Sequence, residues 1–239
     1  TNGSAVLGLG NIGAAAAKPV MEGKAVLFKK FADIDCFDLE VDEPDPERLA
    51  EIIAALEPSF GAINLEDVKA PDCFTVEALC RARMNIPVFH DDQHGTAIVV
   101  AAAALNALRV AGKRFEDLEV VSTGGGAAGI ACLELLVTMG VRRENVRLCD
   151  LHGLVTEGRE VDMTPQKAAF AQPGPAGAGL RDVIEGADLF LGLSAPGVLT
   201  SEDVARMAAR PIVFALANPE PEIRPEASRE GNPEAIVAT

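Results

Sequence analysis

The 239-residue sequence contains no tyrosine and no tryptophan, so it offers no phenol group as an acid or base. Basic side chains are also scarce. The chain has 21 lysines and arginines against 36 aspartates and glutamates, which gives a net charge of −15. This balance argues against a surface that binds nucleic acid or an anionic membrane.

Long hydrophobic runs are absent as well. The longest, residues 97–105, is too short and too rich in alanine to predict a membrane span, and the sequence shows no signal peptide. The five cysteines are odd in number and lie mostly within apolar runs, so they read as reduced core residues. We therefore expect a cytoplasmic protein.

The chain lacks an initial methionine, and an apolar run lies close to each end, at residues 5–9 and 235–238. From this we expect a piece of a longer protein. Its 49% hydrophobic content is sufficient for one large or two modest packed cores.

Strand-like apolar runs alternate with helical patterns along the chain, which is typical of βαβ units and predicts an α/β fold. We predict two domains, of which the second is a Rossmann-like doubly wound parallel sheet. Residues 1–112 would bind metal and substrate, residues 113–217 would bind NAD(P), and residues 218–239 would return toward the first domain. A segment rich in proline and glycine, residues 172–179, predicts a surface loop. The predicted strands are residues 5–9, 34–41, 61–65, 86–89, 118–122, 146–149, 189–193 and 212–216.

Two acidic pairs follow apolar runs, Glu66 and Asp67 at one place and Asp91 and Asp92 at another. Acids at strand ends that converge from two parts of a chain can hold a hard divalent cation, and their oxygens suit Mg²⁺ or Mn²⁺. The alternative is that they are surface acids or helix caps, since aspartate is a common N-cap residue.

Two histidines beside the second pair, His90 and His94, have the spacing of zinc ligands on one helix face. We do not favour zinc. No third nitrogen or sulfur ligand is near in sequence, and Gly95-Thr96 is more typical of the start of a helix than of its interior.

A glycine loop of the form G-x-G-x-x-G follows the predicted strand at residues 118–122 and opens a helix. Its glycines permit a tight turn and a close approach to a pyrophosphate, and the helix N-terminus supplies amide donors. Asp150, 21 residues past the last glycine, stands where an acid binds the ribose and favours NAD over NADP. The alternative is a glycine-rich connection without a ligand. The residues of the loop are Gly124, Gly125, Gly126, Ala127, Ala128 and Gly129.

Other residues are weaker candidates for the same site. Ser194 and Asn218 each follow an apolar run, so they could contact ribose, nicotinamide or substrate. A second glycine pattern, at residues 8–13, lacks a convincing helix start and a closing acid, and we expect it to bind nothing. A 2′-phosphate of NADP could be bound by Arg142, Arg143, Arg147 or Arg159.

Taken together, these motifs resemble those of the bacterial malic enzymes. The resemblance runs in order along essentially the whole chain and is carried by Lys18-Pro19-Val20-Met21-Glu22-Gly23-Lys24, Ile63-Asn64-Leu65-Glu66-Asp67, residues 87–96, the glycine loop and Asn218-Pro219. It implies oxidative decarboxylation of (S)-malate to pyruvate and CO₂, with reduction of NAD or NADP and with a divalent metal.

The resemblance also implies roles for single residues. Glu66, Asp67 and Asp92 would be the metal ligands, Lys24 would take the proton from the malate hydroxyl, and Asp91 would orient Lys24. Asn218 would contact substrate or nicotinamide.

The sequence departs from this family in two ways, because the tyrosine that protonates the enol and a second substrate-side asparagine are missing. We expect both to lie outside residues 1–239, and we expect this piece alone to be inactive. The resemblance further implies a homo-oligomer when full length and, in some members, a C-terminal phosphotransacetylase-like domain.

Two other functions compete. Another two-domain dehydrogenase, such as an amino-acid dehydrogenase, would share the glycine loop without a metal. A non-catalytic dinucleotide-binding protein would bind the cofactor without any malate-dependent metal affinity.

Overall fold

The computed structural model describes residues 1–175 and 177–239. It divides into two compact units, Thr1–Asp92 and Gln93–Thr239. Of the predicted surface loop at residues 172–179, Ala176 lies outside the described residues.

The first unit is mainly helical. Its helices are α1 (Ala14–Ala32), α2 (Pro46–Ala55) and α3 (Asp72–Arg83), and its two short strands, β1 (Ile63–Leu65) and β2 (Val88–His90), pair in parallel. Helix α2 begins where the sequence signals it, because Asp45 accepts a hydrogen bond from the Arg48 N–H and Pro46 fits the first turn. Helices α2 and α3 pack together, and Leu49, Ile53, Val76 and Cys80 on them are buried.

The predicted strands at residues 5–9 and 34–41 are wrong. Residues 5–9 form a tight turn in which the Val6 carbonyl accepts hydrogen bonds from the Leu9 and Gly10 N–H groups. Gly8 and Gly10 adopt positive φ, a conformation that interrupts an extended strand. Residues 34–41 are irregular. Apolar content alone suggested strands here, but neither segment lies in a sheet among the described residues.

The second unit is an α/β sheet. Its helices are α4 (Thr96–Ala111), α5 (Ala127–Thr138), α6 (Pro165–Ala168), α7 (Leu180–Val183), α8 (Ser201–Ala205) and α9 (Pro225–Gly231). Its strands are β3 (Val120–Thr123), β4 (Val146–Asp150), β5 (Gly153–Leu154), β6 (Leu189–Gly192), β7 (Ile212–Ala215) and β8 (Ile236–Ala238). They lie in the order β5-β4-β3-β6-β7-β8, and every pairing is parallel except that of β4 with β5.

Both faces of this sheet are covered, which explains why its strands are mostly apolar. Val120 faces one hydrophobic cluster, together with side chains of α4 and α5, whereas its neighbour Val121 faces a second cluster that includes Val204 of α8. The chain leaves β3 for β4 on one side and later crosses to β6 on the other. The order of connection therefore reverses at β3, as in a doubly wound fold.

The units divide at a different place from the domains that the sequence suggested. Helix α4 lies before the expected boundary at residue 112, but it packs on α5 and buries Val100, Ala104 and Leu108 in the core of the second unit. The segment 218–239 does not leave the second sheet, because β8 pairs with β7. This pairing is a tertiary contact that the local sequence does not signal.

By length and composition alone, Asp91–Ala111 could cross a membrane. Helix α4, which makes up most of this segment, packs Val100, Ala104 and Leu108 into the core of the second unit, as a core helix of a globular domain does.

Candidate functional site

The two acidic pairs meet at one end of the strand pair in the first unit. Strands β1 and β2 run in parallel with Leu65 opposite His90, so the residues that follow each strand leave the same edge. Candidate ligand oxygens of Glu66, Asp67 and Asp92 all lie within 4.8 Å of one another. The Asp67 N–H also donates to Asp92 Oδ2 at 2.9 Å, which fixes the two strand ends to each other.

The charges of this cluster are unfavourable for the protein without a counter-ion. Burial, together with the nearby charges of Asp92 and Glu66, raises the pKa of Asp67 to about 7. Burial is also the main cause that raises the pKa of Glu66 and of Asp92. Burial and repulsion from neighbouring carboxylates therefore disfavour the ionised form of all three carboxyl groups. A divalent cation bound between them would offset this cost.

The donor set fits such an ion. All three groups offer hard oxygen ligands, which Mg²⁺ and Mn²⁺ prefer. The amide of Asn64 donates to Glu66 Oε2 at 2.8 Å and so fixes the orientation of that carboxylate. Asp67 has φ 54°, a left-handed conformation that aspartate adopts more readily than most residues with a side chain.

An amine lies against the same carboxylates. Lys24 of α1 donates to Asp91 Oδ2 at 2.6 Å and to Glu66 Oε1 at 3.1 Å, and its side chain is 28% exposed. Burial lowers the pKa of Lys24, but hydrogen bonds to Asp91 and Glu66 and their charges outweigh it and raise the pKa above its ordinary value. The sequence-predicted base and its predicted partner Asp91 are therefore in direct contact.

A cavity of about 460 Å³ opens beside Lys24 within the first unit. Lys24, Asn64 and Glu66 line it at one place, and apolar side chains such as Phe28 and Leu49 line much of the rest. Small molecules could therefore reach the amine and one carboxylate from this side.

The two histidines considered for zinc do not form a ligand set. His90 ends β2, while His94 lies in a single turn of π-helix, Asp91–Gly95, so they do not share an α-helix face. Among the described residues, the group with metal-binding geometry contains the three carboxylates and neither histidine.

In the second unit the glycine loop joins β3 to α5 at the carboxyl edge of the sheet. Gly124 has φ 104°, and a side chain there would lie 2.2 Å from the Leu193 carbonyl oxygen. A side chain at Gly129 would lie 2.0 Å from the Gly124 carbonyl oxygen, whereas one at Gly126 would meet no protein atom within 4 Å. The loop is thus tight on its inner side and open at Gly126, where α5 begins.

Asp150 ends β4 at the same edge, but its carboxylate is not free. It accepts hydrogen bonds from the His152 N–H, from both terminal nitrogens of Arg159 and from Lys167 Nζ, at 2.5–3.0 Å. Burial raises the pKa of Asp150, but these donors and the nearby positive charge lower it to about 2. The aliphatic part of Lys167 lies against Gly125, so this lysine joins the acid to the glycine loop.

Of the remaining candidates, Ser194 and Asn218 lie at the carboxyl edge of the sheet, whereas most of the arginines do not point to a cofactor site. The Ser194 hydroxyl lies 2.9 Å from Thr123 Oγ1, at the end of β3, and Asn218 follows β7. Three of the arginines considered for a 2′-phosphate are engaged elsewhere. Arg143 pairs with Glu134, Arg147 donates to the Glu144 carbonyl, and Arg142 lies 3.9 Å from Asp117.

Sequence reasoning missed three residues of these sites: Asn64, Lys167 and Glu222. Asn64 is part of a motif that the sequence did single out, and its position two residues before Glu66 was the available signal. Lys167 reaches Asp150 from 17 residues away, and Glu222 reaches Ser194 from 28. No local pattern signals such contacts.

Comparison with known proteins identifies the family. The family model described as "Malic enzyme, N-terminal domain" matches residues 1–81, and that described as "Malic enzyme, NAD binding domain" matches residues 93–239. The chain is 59% identical to an NADP-dependent malic enzyme of Escherichia coli and 60% identical to an NAD-dependent malic enzyme of Rhizobium meliloti, in each case over its full length. It spans 32% and 31% of those two proteins.

A solved structure gives the same result. The NAD-dependent malic enzyme of Thermotoga maritima superposes with a TM-score of 0.93 at 47% identity, covering 100% of this chain and 64% of that one. Because the two family models together match nearly all of the sequence, the chain belongs to the malic enzyme family.

Proposed function

We propose that the full-length protein catalyses the divalent-metal-dependent oxidative decarboxylation of (S)-malate to pyruvate and CO₂, with reduction of NAD(P). The observation that carries this proposal is the convergence of Glu66, Asp67 and Asp92 beside the amine of Lys24. A cation site next to a titratable amine is what removal of a proton from a hydroxyl group requires. The E. coli and R. meliloti relatives are named as malic enzymes.

In this proposal each group of the first unit has one role. Glu66, Asp67 and Asp92 hold Mg²⁺ or Mn²⁺. When bound, the metal supplies Lewis acidity and orients the oxygens of the substrate. Lys24 takes the proton of the malate C2 hydroxyl at its Nζ atom, and Asp91, 2.6 Å away, holds that amine in position. Lys24 must be neutral to act, so it depends on a positive charge to oppose the pull of the carboxylates that raise its pKa.

The second unit holds the dinucleotide. The open position at Gly126 and the amide groups at the start of α5 receive the pyrophosphate, as in other glycine loops of this form. Gly124 and Gly129 provide the tight packing that brings the loop and the helix together. Ser194 and Asn218 lie after β6 and β7, and we assign them to the nicotinamide end of the site.

For the choice between the two cofactors, we propose NADP. A free carboxylate at Asp150 would repel a 2′-phosphate, but this one is compensated by Arg159 and Lys167. These two side chains are 11% and 7% exposed; Arg159 pairs with Asp150, and Lys167 is shared between Asp150 at 3.0 Å and Asp162 at 2.6 Å. The acid at the strand end where the ribose binds is therefore neutralised, and two cations lie within reach of a 2′-phosphate. The relatives divide on this point, because one is named for NADP and another for NAD.

The proposed reaction is tested by malate-dependent formation of reduced dinucleotide with the full-length protein, with and without a chelator. We expect activity that requires Mg²⁺ or Mn²⁺ and is lost in Asp92→Asn. Glu51→Gln removes an exposed acid of α2 in the same unit, and it should retain activity. Activity that survives the chelator would point to a metal-independent dehydrogenase, and dinucleotide binding without turnover would point to a binding protein.

The cofactor proposal has a separate test. Lys167→Gln should lower kcat/KM for NADP by about tenfold or more, the loss of one charged contact, and should change that for NAD much less. Arg147→Gln, a change on the same strand as Asp150 but away from its carboxylate, serves as the control. Equal losses with both dinucleotides would show that Lys167 supports the loop without reading the phosphate.

We also propose that the protein is cytoplasmic and assembles as a homo-oligomer that binds neither nucleic acid nor membranes. The five free cysteines support a cytoplasmic location. The net charge of −15 argues against binding to nucleic acid or to anionic membranes. Large apolar side chains exposed on α1 and just after it support the assembly, among them Leu27, Phe31, Ile34 and Phe37. Sedimentation equilibrium of the full-length protein measures the oligomeric state, and a monomer at micromolar concentration contradicts this part.

A further inference from the structure

A carboxylate that has no part in the chemistry described so far lies under the carboxyl ends of three strands. Glu222 is completely buried. Its Oε1 atom accepts hydrogen bonds from the Ser194 N–H at 2.8 Å and from the Ser194 hydroxyl at 3.1 Å, and its Oε2 atom accepts one from the Ala217 N–H at 3.0 Å. One side chain therefore holds the segments that follow β6 and β7.

The surroundings are shaped to admit this carboxylate. A side chain on Gly192, the last residue of β6, would lie 2.4 Å from the carboxyl carbon of Glu222. The Ser194 hydroxyl also lies 2.9 Å from Thr123 Oγ1, and Thr123 is the residue immediately before Gly124 of the glycine loop. The hydrogen-bonded network thus extends across the ends of β3, β6 and β7, which are neighbours in the sheet.

A buried carboxylate whose donors are all neutral is an unfavourable choice if stability alone is needed, since an apolar side chain of similar size would avoid the desolvation. What the carboxylate provides is geometry, because it has acceptor atoms for several donors from two separate segments. Those segments lie at the sheet edge where a doubly wound fold binds its dinucleotide, beside the point where the connections reverse.

We propose that Glu222 is a positioning residue of the dinucleotide site, which fixes Ser194 and the Leu216-Ala217 peptide, just before Asn218, where the nicotinamide end of the cofactor binds. This rests on the proposed function in so far as Ser194 and Asn218 are assigned to that end. Glu222 itself touches neither cofactor nor substrate. Its effect passes through the two segments that it holds.

The test uses Glu222→Gln in the full-length protein. Glutamine keeps the size of the side chain but replaces one acceptor oxygen by an NH₂ donor, which must then face an N–H group of Ser194 or Ala217. The control is Glu220→Gln, which makes the same change of charge two residues earlier, on a side chain that is 55% exposed.

Three quantities are measured for both variants: amide hydrogen exchange at Ser194 and Ala217 without ligand, the Kd for NADP, and kcat and KM with malate. We expect Glu222→Gln to speed exchange at one or both amides and to lower kcat/KM by about tenfold, the loss of one well-placed hydrogen bond to a charged group. The Mn²⁺ affinity of the first unit should stay unchanged. Glu220→Gln should match the parent throughout.

The proposal is overturned if Glu222→Gln loses only thermal stability while its NADP affinity and kcat/KM equal those of Glu220→Gln. If Glu222→Gln does not fold, Glu222→Asp keeps the carboxylate but shortens the side chain by one CH₂ group, which withdraws its oxygens from Ser194 and Ala217, and a Kd and kcat/KM equal to those of Glu220→Gln in that variant overturn the proposal equally. The proposed reaction fails separately, by the absence of malate-dependent turnover in the parent. In that event the exchange rates and the NADP titration still decide the role of Glu222.

Discussion

At the scale of single residues, each of the two candidate sites contains a charged group held between two groups of opposite charge. Lys24 lies between two carboxylates, and Asp150 lies between an arginine and a lysine. Each group has a pKa displaced from its ordinary value by identifiable neighbours, so each can be tested by a substitution that keeps its approximate size.

Lys24→Met is the most direct test of the proposed base. The change keeps an unbranched apolar side chain of similar length and removes the amine, so kcat should fall about 10²–10⁴-fold, the usual contribution of general base catalysis. Dinucleotide affinity should not change. Steady-state kinetics with saturating metal measures this, and Lys30→Met, an exposed lysine on the same helix, is the control. A fall confined to KM would assign Lys24 to substrate binding.

Asp150 predicts a dependence of stability on pH. Its folded pKa of about 2 lies below the ordinary value of 3.8, so its contribution is fully present above about pH 5 and is lost as the pH falls through 2. The difference corresponds to about 2 kcal/mol at neutral pH, and roughly half of it should remain at pH 3. The Asp150→Asn variant should therefore be less stable than the parent at pH 7, with the gap narrowing toward pH 3.

Urea unfolding at the two pH values measures this gap. Asp117→Asn, at a side chain that is 63% exposed, should show only a small gap at both pH values. A gap for Asp150→Asn that is equal at pH 7 and pH 3 would mean that the carboxylate gains nothing from Arg159 and Lys167.

At the scale of elements, the glycine loop separates packing from binding within six residues. A methyl group at Gly129 would collide with the Gly124 carbonyl oxygen, but one at Gly126 would meet only open space. We therefore expect Gly129→Ala to lower the free energy of unfolding and with it the dinucleotide affinity.

Gly126→Ala should leave the free energy of unfolding almost unchanged. It should still weaken NADP binding, because the methyl group would occupy the proposed place of the pyrophosphate.

Thermal unfolding and an NADP titration on the two variants measure the difference. Each alanine variant controls for the other, since both replace a glycine of the same loop by the same residue. Full NADP affinity in Gly126→Ala would show that the pyrophosphate does not bind at the open side of the loop.

Elements with strong local signals were predictable from the sequence. Helix α2 begins at an aspartate followed by proline, and the β3–α5–β4 unit follows from a glycine loop between an apolar strand and an apolar helix. The predicted strands at residues 5–9 and 34–41 failed because an apolar run does not reveal whether a partner strand exists. Strand β8 was missed for the converse reason, since its place beside β7 is decided by tertiary contacts.

The same distinction holds for the site. Acids placed after two apolar runs could be expected to meet, because parallel strands end at a common edge, and Glu66, Asp67 and Asp92 do lie together. The contacts of Lys167 and Glu222 depend on loops that return to the sheet from 17 and 28 residues away. The sequence left Asp150 as a free acid for that reason.

At the scale of the whole molecule, the chain consists of two compact units, and each contains one of the two proposed ligand sites. The carboxylate cluster belongs entirely to Thr1–Asp92, and the glycine loop with Asp150 belongs entirely to Gln93–Thr239. A ligand that binds only the folded state stabilises by RT ln(1 + [L]/Kd), about 2.7 kcal/mol at a hundredfold excess over Kd. The two ligands should therefore stabilise different parts of the chain.

Hydrogen exchange followed by mass spectrometry can resolve this. Mn²⁺ should slow exchange at residues 63–67 and 88–92, because its charge would offset the repulsion between the carboxylates that contributes to the raised pKa of Asp67. NADP should slow exchange at residues 120–129 and 146–150. In Asp92→Asn the effect of Mn²⁺ should vanish while that of NADP persists, and in Gly126→Ala the reverse should hold. Protection by Mn²⁺ that survives Asp92→Asn, or that falls only on the second unit, would exclude the three carboxylates as the metal site.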